Sequence, residues 1–394
     1  MRGALLFIAI FALSMLIIPM IALNSQPLPP PGAPPITPVE HIPPAPQAEN
    51  QAEDEPDRPA YAPPLGPPSA PLDINPNAQS ALGQEARPWE RPALSDLPGV
   101  SYFRILDERT GEIHLVSARD YVRGVVAAEM PASFHPEALK AQAVAAHTFA
   151  LRQHMIQRSF PDPALRGADF SADPSGRMGF VTEEVARLIF GYREDEHWQI
   201  ITDAVDEVLE LVLKYDGEPI VAAFHAISAG ETEYASNVWV GSAPYLIPAP
   251  SPGDLLAPGF ESSESFGAGL LQELIHERYP GISFEGDPAG WLEVTERSSS
   301  GYVTRVRVGD TTLRGIDLRR ALGLRSHHFE VAFASGEFTF TVLGYGHGVG
   351  LSQRGAEYMA QQGAGFAEIL ANYYPGTTLY RLEIAERLAG ADYH

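Results

Sequence analysis

Residues 117–158 read SARDYVRGVVAAEMPASFHPEALKAQAVAAHTFALRQHMIQR and predict a pair of helices. Ser117, with an acidic residue three positions later, is typical of a helix N-terminus, and Pro131 must end the helix that starts there. Pro136 fits the first turn of a second helix, which continues to about Arg158. Alanine recurs along the inner stripe of the second helix, so we expect it to pack closely against neighbouring elements.

Shorter elements of both kinds surround this pair. Alternating apolar residues predict strands, and Asp216-Gly217 is a strong hairpin signal between two of them. The predicted strands are 103–107, 112–116, 211–215, 220–225 and 338–342, and the further predicted helices are 182–190, 202–209, 353–362 and 366–373. Helices and antiparallel strands in irregular order predict an α+β fold, a single mixed domain rather than a repeated βαβ wind.

The N-terminal part of the chain has a different composition. Residues 1–24 are almost entirely apolar and long enough for a membrane helix, although a cleaved signal peptide is the alternative. Residues 25–98 hold more than half of the 36 prolines and predict a disordered tether, either a spacer or filler with no length requirement. The domain is expected at 99–394, and Arg2 predicts that it lies outside the cytoplasm.

Composition excludes several classes of function. The formal net charge of −23 argues against a nucleic-acid partner, which would require a clustered basic face. The chain contains no cysteine, so disulfides, thiolate nucleophiles and Cys-ligated zinc are excluded.

Glu129 is the most informative carboxylate. It continues the apolar stripe formed by Val122, Val125 and Val126, at the last turn before the helix ends. Burial and the negative end of the helix dipole should raise its pKa, as a general acid requires. The alternative is an exposed glutamate on a helix that frays one residue earlier.

A glycine-rich segment, Gly344–Gly355, follows the last predicted strand. Its alternating glycines allow close backbone approach, and His347, Ser352 and Gln353 between them would suit a polyhydroxyl ligand such as a glycan. The segment lacks the pattern of a phosphate or dinucleotide loop. The alternative is a tight strand-to-helix connection with His347 as an ordinary buried histidine.

A third group of polar residues lies where the 220–225 strand should end: His225, Ser228, Thr232 and Glu233. A serine triad is disfavoured because no Gly-x-Ser-x-Gly elbow is present. A zinc site formed by His225, His347 and Glu129 is conceivable but has no supporting ligand spacing. The pair His327-His328 is expected in a surface turn.

Four segments together resemble the stage II sporulation protein D (SpoIID/LytB) family. They are 121–150, which includes the Ala-Glu-Met-Pro motif at Glu129, then 216–246, 313–326 and 344–377, in the family's order. The resemblance implies a peptidoglycan lytic transglycosylase that acts on glycan strands without stem peptides, with Glu129 as the single catalytic acid and base.

The resemblance also implies a substrate groove, partners and a location. The expected groove residues are Gln142, His225, Ser228, Gly230, Thr232, Tyr345, Gly346, His347, Gly348, Ser352 and Gln353. The expected partners are peptidoglycan strands, an N-acetylmuramoyl-L-alanine amidase and the membrane. No cofactor is expected, and no metal, because residues 169–178 lack the cysteines that bind zinc in some members. The protein would be single-pass at the cell membrane, with an extracytoplasmic domain on the periplasm or wall side. The alternative is a non-catalytic amidase enhancer of the LytB type.

Overall fold

The computed structural model describes residues 101–382, apart from 109, 172–178, 240 and 242. The predicted membrane segment 1–24 and the proline-rich segment 25–98 lie outside these residues. No helix within the described ranges is long and apolar enough to cross a membrane.

The described residues form an α+β fold, as predicted, with mainly antiparallel strands. The helices are α1 Ala118–Glu129, α2 Pro136–Ser159, α3 Glu183–Phe190, α4 Glu194–Val208, α5 Ala235–Val238, α6 Ala268–Arg278, α7 Gly315–Leu322, α8 Gln353–Gln361 and α9 Phe366–Tyr373. The strands are β1 Tyr102–Asp107, β2 Glu112–Ser117, β3 Phe170–Ser171, β4 Leu211–Tyr215, β5 Glu218–Pro219, β6 Phe224–His225, β7 Glu261–Gly267, β8 Leu292–Arg297, β9 Val303–Val308, β10 Thr311–Arg314, β11 Phe329–Ala334, β12 Glu337–Leu343, β13 Leu351–Ser352 and β14 Thr378–Arg381.

Helix α2 lies at the centre of the first hydrophobic core. It packs against α1, α4, α8, α9 and β4, and its alanines are fully buried. Small side chains let these backbones approach closely, which confirms the expectation from the alanine stripe. The Thr148 hydroxyl donates to the Val144 carbonyl and accepts the Leu213 N–H at 2.9 Å, so it fixes α2 to β4.

A second hydrophobic core is formed by α6, α7 and two three-stranded antiparallel sheets. The sheets have the orders β10-β9-β8 and β11-β12-β7. The predicted alternation in β12 is confirmed, because Phe338, Phe340 and Val342 are buried while the threonines between them are half-buried.

Two predicted elements are corrected. The helix expected at 202–209 begins earlier, at Glu194. Three acidic residues in its first turn stabilise this start, because they interact favourably with the positive end of the helix dipole. The strand expected at 220–225 is instead Glu218–Pro219, which pairs with β4 and is followed by one further backbone hydrogen bond, from the Ile220 N–H to the Leu213 carbonyl at 3.2 Å. Residues Phe224–His225 instead pair in parallel with Leu351–Ser352. This pairing joins the segment after β5 to the glycine-rich segment.

Candidate functional site

Glu129 is the last residue of α1 and is half-buried. Its Oε1 accepts a hydrogen bond from the Gly179 N–H at 3.0 Å, and its Oε2 accepts one from the Gln353 amide at 3.3 Å. The helix ends directly after it, because Met130 adopts an extended conformation. The carboxyl group is therefore fixed by two neutral donors, one of them from the glycine-rich segment.

Burial raises the pKa of Glu129 above its ordinary value of 4.5, and the two hydrogen bonds oppose this only in part. This confirms the direction of the pKa shift predicted from the sequence. A larger fraction of this carboxyl is protonated near neutral pH than of an ordinary glutamate. The arrangement can therefore supply a proton to a leaving oxygen.

The glycine-rich segment forms a wall against the chain around His225. Tyr345 and Ile227 exchange two backbone hydrogen bonds, of 2.7 and 3.0 Å. Gly346 has a φ of 118°, and a Cβ at this position would lie 2.6 Å from the Cβ of His225. Gly348, at φ 78°, packs equally closely against the ring of Tyr302. These glycines are required for the close backbone approach that the sequence predicted.

The two histidines at this wall are buried and neutral. The ring centroids of His225 and His347 are 5.6 Å apart, and Trp239 packs on His347 at 4.9 Å. Burial lowers the pKa of His225 to about 4 and the pKa of His347 well below its usual range. The Nδ1 of His347 accepts the Val349 N–H at 3.1 Å. His347 therefore has the environment of the ordinary buried histidine that was the alternative interpretation.

Asp254 is a buried residue of this region that sequence reasoning missed. Its carboxylate accepts the Ser228 N–H at 2.8 Å and the Ser352 hydroxyl at 2.8 Å. The Ser352 oxygen in turn accepts the Gly355 N–H and caps α8. Asp254 thus holds both polar segments together, and its place in a Pro-Gly turn gave no sequence signal for that role.

The other predicted groove residues have different surroundings. Thr232 is buried, and its hydroxyl oxygen accepts the Ala249 N–H at 2.8 Å. Gly230, at φ 101°, packs beneath Leu255. Gln142 is buried on α2, and its amide has no hydrogen-bond partner among the described residues. The hydrogen bonds of Thr232 therefore stabilise the fold rather than reach Glu129.

Two arginines near the wall were also missed. The guanidinium carbon of Arg325 lies 4.3 Å from the centre of the Tyr345 ring. Arg319 is buried and its Nε donates to the carbonyls of Leu324, at 3.0 Å, and Arg325, at 3.2 Å. Burial raises the pKa of Tyr345, and the Glu129 charge adds to this while the two arginines oppose it. Of these groups, Arg325 is the one in contact with the Tyr345 ring.

The expectation of a surface turn at His327-His328 is wrong for His327. This residue is 1% exposed and packs on Tyr302, with ring centroids 4.7 Å apart. Its carbonyl accepts the Val303 N–H, so the chain here passes through the second core. Among the residues that the structure describes, no group of three His, Asp or Glu is placed to hold a metal ion.

Comparison with known proteins places the chain in a family. Residues 107–215, which include Glu129, match the family model described as stage II sporulation protein. The stage II sporulation protein D of Bacillus amyloliquefaciens is 35% identical over 290 residues, which cover 73% of this chain and 80% of that protein. The protein of the same name from Bacillus subtilis (strain 168) is 36% identical over 266 residues, 67% of this chain and 74% of its own. The chain belongs to the stage II sporulation protein D family.

Membership of the stage II sporulation protein D family confirms the resemblance carried by the four sequence segments. A more distant relative is the protein named amidase enhancer of Bacillus subtilis (strain 168), 28% identical over 307 residues. That match covers 66% of this chain and 40% of the relative. The family model ends at residue 215, before the glycine-rich segment Gly344–Gly355. The arrangement of that segment around Glu129 is therefore described by the structure and not by the family model.

Proposed function

We propose that this family member is a peptidoglycan lytic transglycosylase that cleaves glycan strands lacking stem peptides. The observation that carries the proposal is Glu129, a half-buried carboxyl with a raised pKa, held by two neutral donors at a glycine-rich wall. Family membership supports a cell-wall-modifying role, and the site supplies a chemistry for it.

A single carboxyl is sufficient for this reaction. Hydrolysis of a glycosidic bond normally requires two carboxyl groups, one as acid and one as nucleophile or base. In the transglycosylase reaction the hydroxyl on C6 of the muramic acid attacks C1 of the same ring. Protonated Glu129 gives its proton to the leaving oxygen as the C1–O bond breaks. The resulting carboxylate then takes the proton of the C6 hydroxyl as the new C1–O bond forms, so Glu129 ends the cycle protonated and the product is a 1,6-anhydro end.

The surroundings of Glu129 suit both halves of this cycle. Burial favours the neutral acid before proton transfer, whereas the Gly179 and Gln353 donors stabilise the carboxylate that follows it. The Gln353 contact is the longer of the two, at 3.3 Å, so we assign the proton to Oε2.

Two other acids of the region are fully buried. Asp254 already accepts hydrogen bonds from two serines, and Glu233 accepts them from the Tyr234 N–H, the Asn237 amide and the Ser298 hydroxyl, so both are assigned structural roles.

A second candidate is a non-catalytic enhancer of an amidase. The observation that favours it is the match to the protein named amidase enhancer. In that case the same wall would bind glycan and the raised pKa of Glu129 would have no role in cleavage.

The test is digestion of amidase-treated glycan strands by the full chain in detergent, with mass spectrometry of the ends. We expect 1,6-anhydromuramic ends from the wild type, none from Glu129→Gln, and wild-type amounts from Glu264→Gln, an exposed glutamate on β7. Full activity of Glu129→Gln would remove Glu129 from catalysis. Acceleration of an added amidase without any anhydro ends would favour the enhancer.

A further inference from the structure

One face of helix α8 contacts both Glu129 and the chain that follows it. Gln353, the first residue of α8, donates to the Glu129 carboxyl group at 3.3 Å. One turn later on the same face, the Glu357 carboxylate accepts the His135 N–H at 2.6 Å. Residues 130–135 are the entire connection between α1 and α2. Helix α8 therefore holds this short connection at both of its ends.

A third contact lies between these two. The guanidinium carbon of Arg354 is 4.7 Å from the centre of the Phe134 ring, and that ring is buried in the first hydrophobic core. Arg354 is half-buried, and a cation–π contact is stronger in such a place than at an exposed one. The Arg354 N–H also donates to the Ala226 carbonyl at 3.1 Å, which fixes the start of α8. We call Arg354 and Glu357 the α8 clamp.

The α8 clamp contains a stronger hydrogen bond than the one at Glu129. The bond from the His135 N–H to Glu357 is short and has a charged acceptor, which is typical of the strong hydrogen bonds in proteins. The second carboxylate oxygen of Glu357 accepts the Gln361 amide at 2.7 Å, which fixes the direction of the carboxylate. By contrast, the Gln353–Glu129 distance of 3.3 Å is at the long limit for such a bond, so a small separation of α1 and α8 would break it. The strong bond at the end of the connection can therefore maintain the weak bond at its start.

We propose that Glu357, together with Arg354, is a positioning residue that keeps the Gln353 amide on the Glu129 carboxyl group. This inference rests on the proposed function for its effect on cleavage, whereas its effect on the Glu129 carboxyl group does not require cleavage. In the intact site, burial raises the pKa of Glu129 and the Gln353 bond opposes the rise. Loss of the α8 clamp removes this opposing donor, so the pKa of Glu129 should rise further. The carboxylate formed during the proposed cycle is then less stable, and cleavage is slower.

The direct test is a pH titration of the Glu129 carboxyl carbon by NMR, with the full chain in detergent. It compares the wild type with Gln353→Ala, Glu357→Ala and the double variant. We expect both single variants to raise the midpoint by the same amount and the double variant to raise it no further, because both changes remove the same donor. A wild-type midpoint in Glu357→Ala would overturn the inference, as would shifts that add in the double variant.

Glu357→Gln separates the hydrogen bond from the charge. Its amide oxygen can still accept the His135 N–H, so we expect the wild-type midpoint. If the Glu357 charge were the cause, both Glu357→Ala and Glu357→Gln would lower the midpoint, because a nearby negative charge raises the pKa of a carboxyl group, and that result would contradict the inference. The matched control is Glu368→Ala, which removes a carboxylate that accepts the Gly365 N–H at 2.9 Å on α9 and should leave the midpoint unchanged.

Digestion of amidase-treated glycan strands separates this inference from the proposed function. If the wild type produces anhydro ends, we expect Glu357→Ala to slow their release about 10–100-fold and Glu357→Gln to restore it. If the wild type produces none, the proposed function fails, and the NMR midpoints still decide the inference. Should thermal melting show that Glu357→Ala is unfolded, Glu357→Met, which fills the space without accepting the bond, takes its place. The same upward shift is expected from it, and a wild-type midpoint would overturn the inference.

Discussion

Gly346 tests the geometry of the glycine-rich wall. Its φ of 118° is one that L side chains rarely adopt, and an added Cβ would lie 2.6 Å from the Cβ of His225. Backbone strain of this kind costs about 1–3 kcal/mol, and overpacking costs a similar amount. We therefore expect Gly346→Ala to lower the free energy of unfolding by about 2–6 kcal/mol.

The matched control is Gly363→Ala. Gly363 has a φ of 94°, but a Cβ there would meet nothing within 4 Å, so only backbone strain applies. Urea denaturation of both variants, monitored by tryptophan fluorescence, gives the decrease in the free energy of unfolding of each variant. The difference between the two decreases is the cost of the contact with His225. If Gly346→Ala loses no more stability than Gly363→Ala, the described packing of the wall is wrong.

Three further predictions concern residues around the site. Asp254→Asn replaces one of the two accepting carboxylate oxygens with an NH2 group that cannot accept a hydrogen bond. It should lower the free energy of unfolding by about 1–3 kcal/mol, measured by thermal denaturation. Unchanged stability would contradict the role of Asp254 in linking Ser228 to Ser352. Thr148→Val leaves the buried Leu213 N–H without an acceptor and should cost about 1–3 kcal/mol by the same assay; a neutral result would show that the bond is dispensable. Burial raises the pKa of Glu129, so its neutral form stabilises the fold below pH 4.5 and that contribution is lost as pH rises through the raised pKa. Glu129→Gln should therefore gain stability over the wild type as the pH is raised in urea titrations, and a constant difference at all pH values would contradict the raised pKa.

Much of the first core could be predicted from the sequence, because its signals are local. The spacing of apolar residues in α1 and α2 and the prolines at their ends determine both helices. The same stripe places the half-buried Glu129 at the end of α1, and the direction of its pKa shift follows from the burial of its carboxyl group.

The second core gave weaker signals. Strand β7 reads ESSESFG, without apolar alternation, because it is an edge strand with mostly exposed side chains. His327 is buried by packing between elements distant in sequence, which a polar pair in the sequence does not indicate. The linking role of Asp254 and the packing of Arg325 on Tyr345 depend in the same way on contacts that only the folded chain creates.

The measurement that tests the central claim most directly is a pH titration of the Glu129 carboxyl carbon by NMR, with Glu129→Gln to assign its signal. A midpoint clearly above 4.5 is predicted, because burial outweighs the two hydrogen bonds to the carboxylate. A midpoint at or below 4.5 would mean that the carboxyl is ionised at neutral pH like any solvent-exposed glutamate, and that it cannot act as the proton donor.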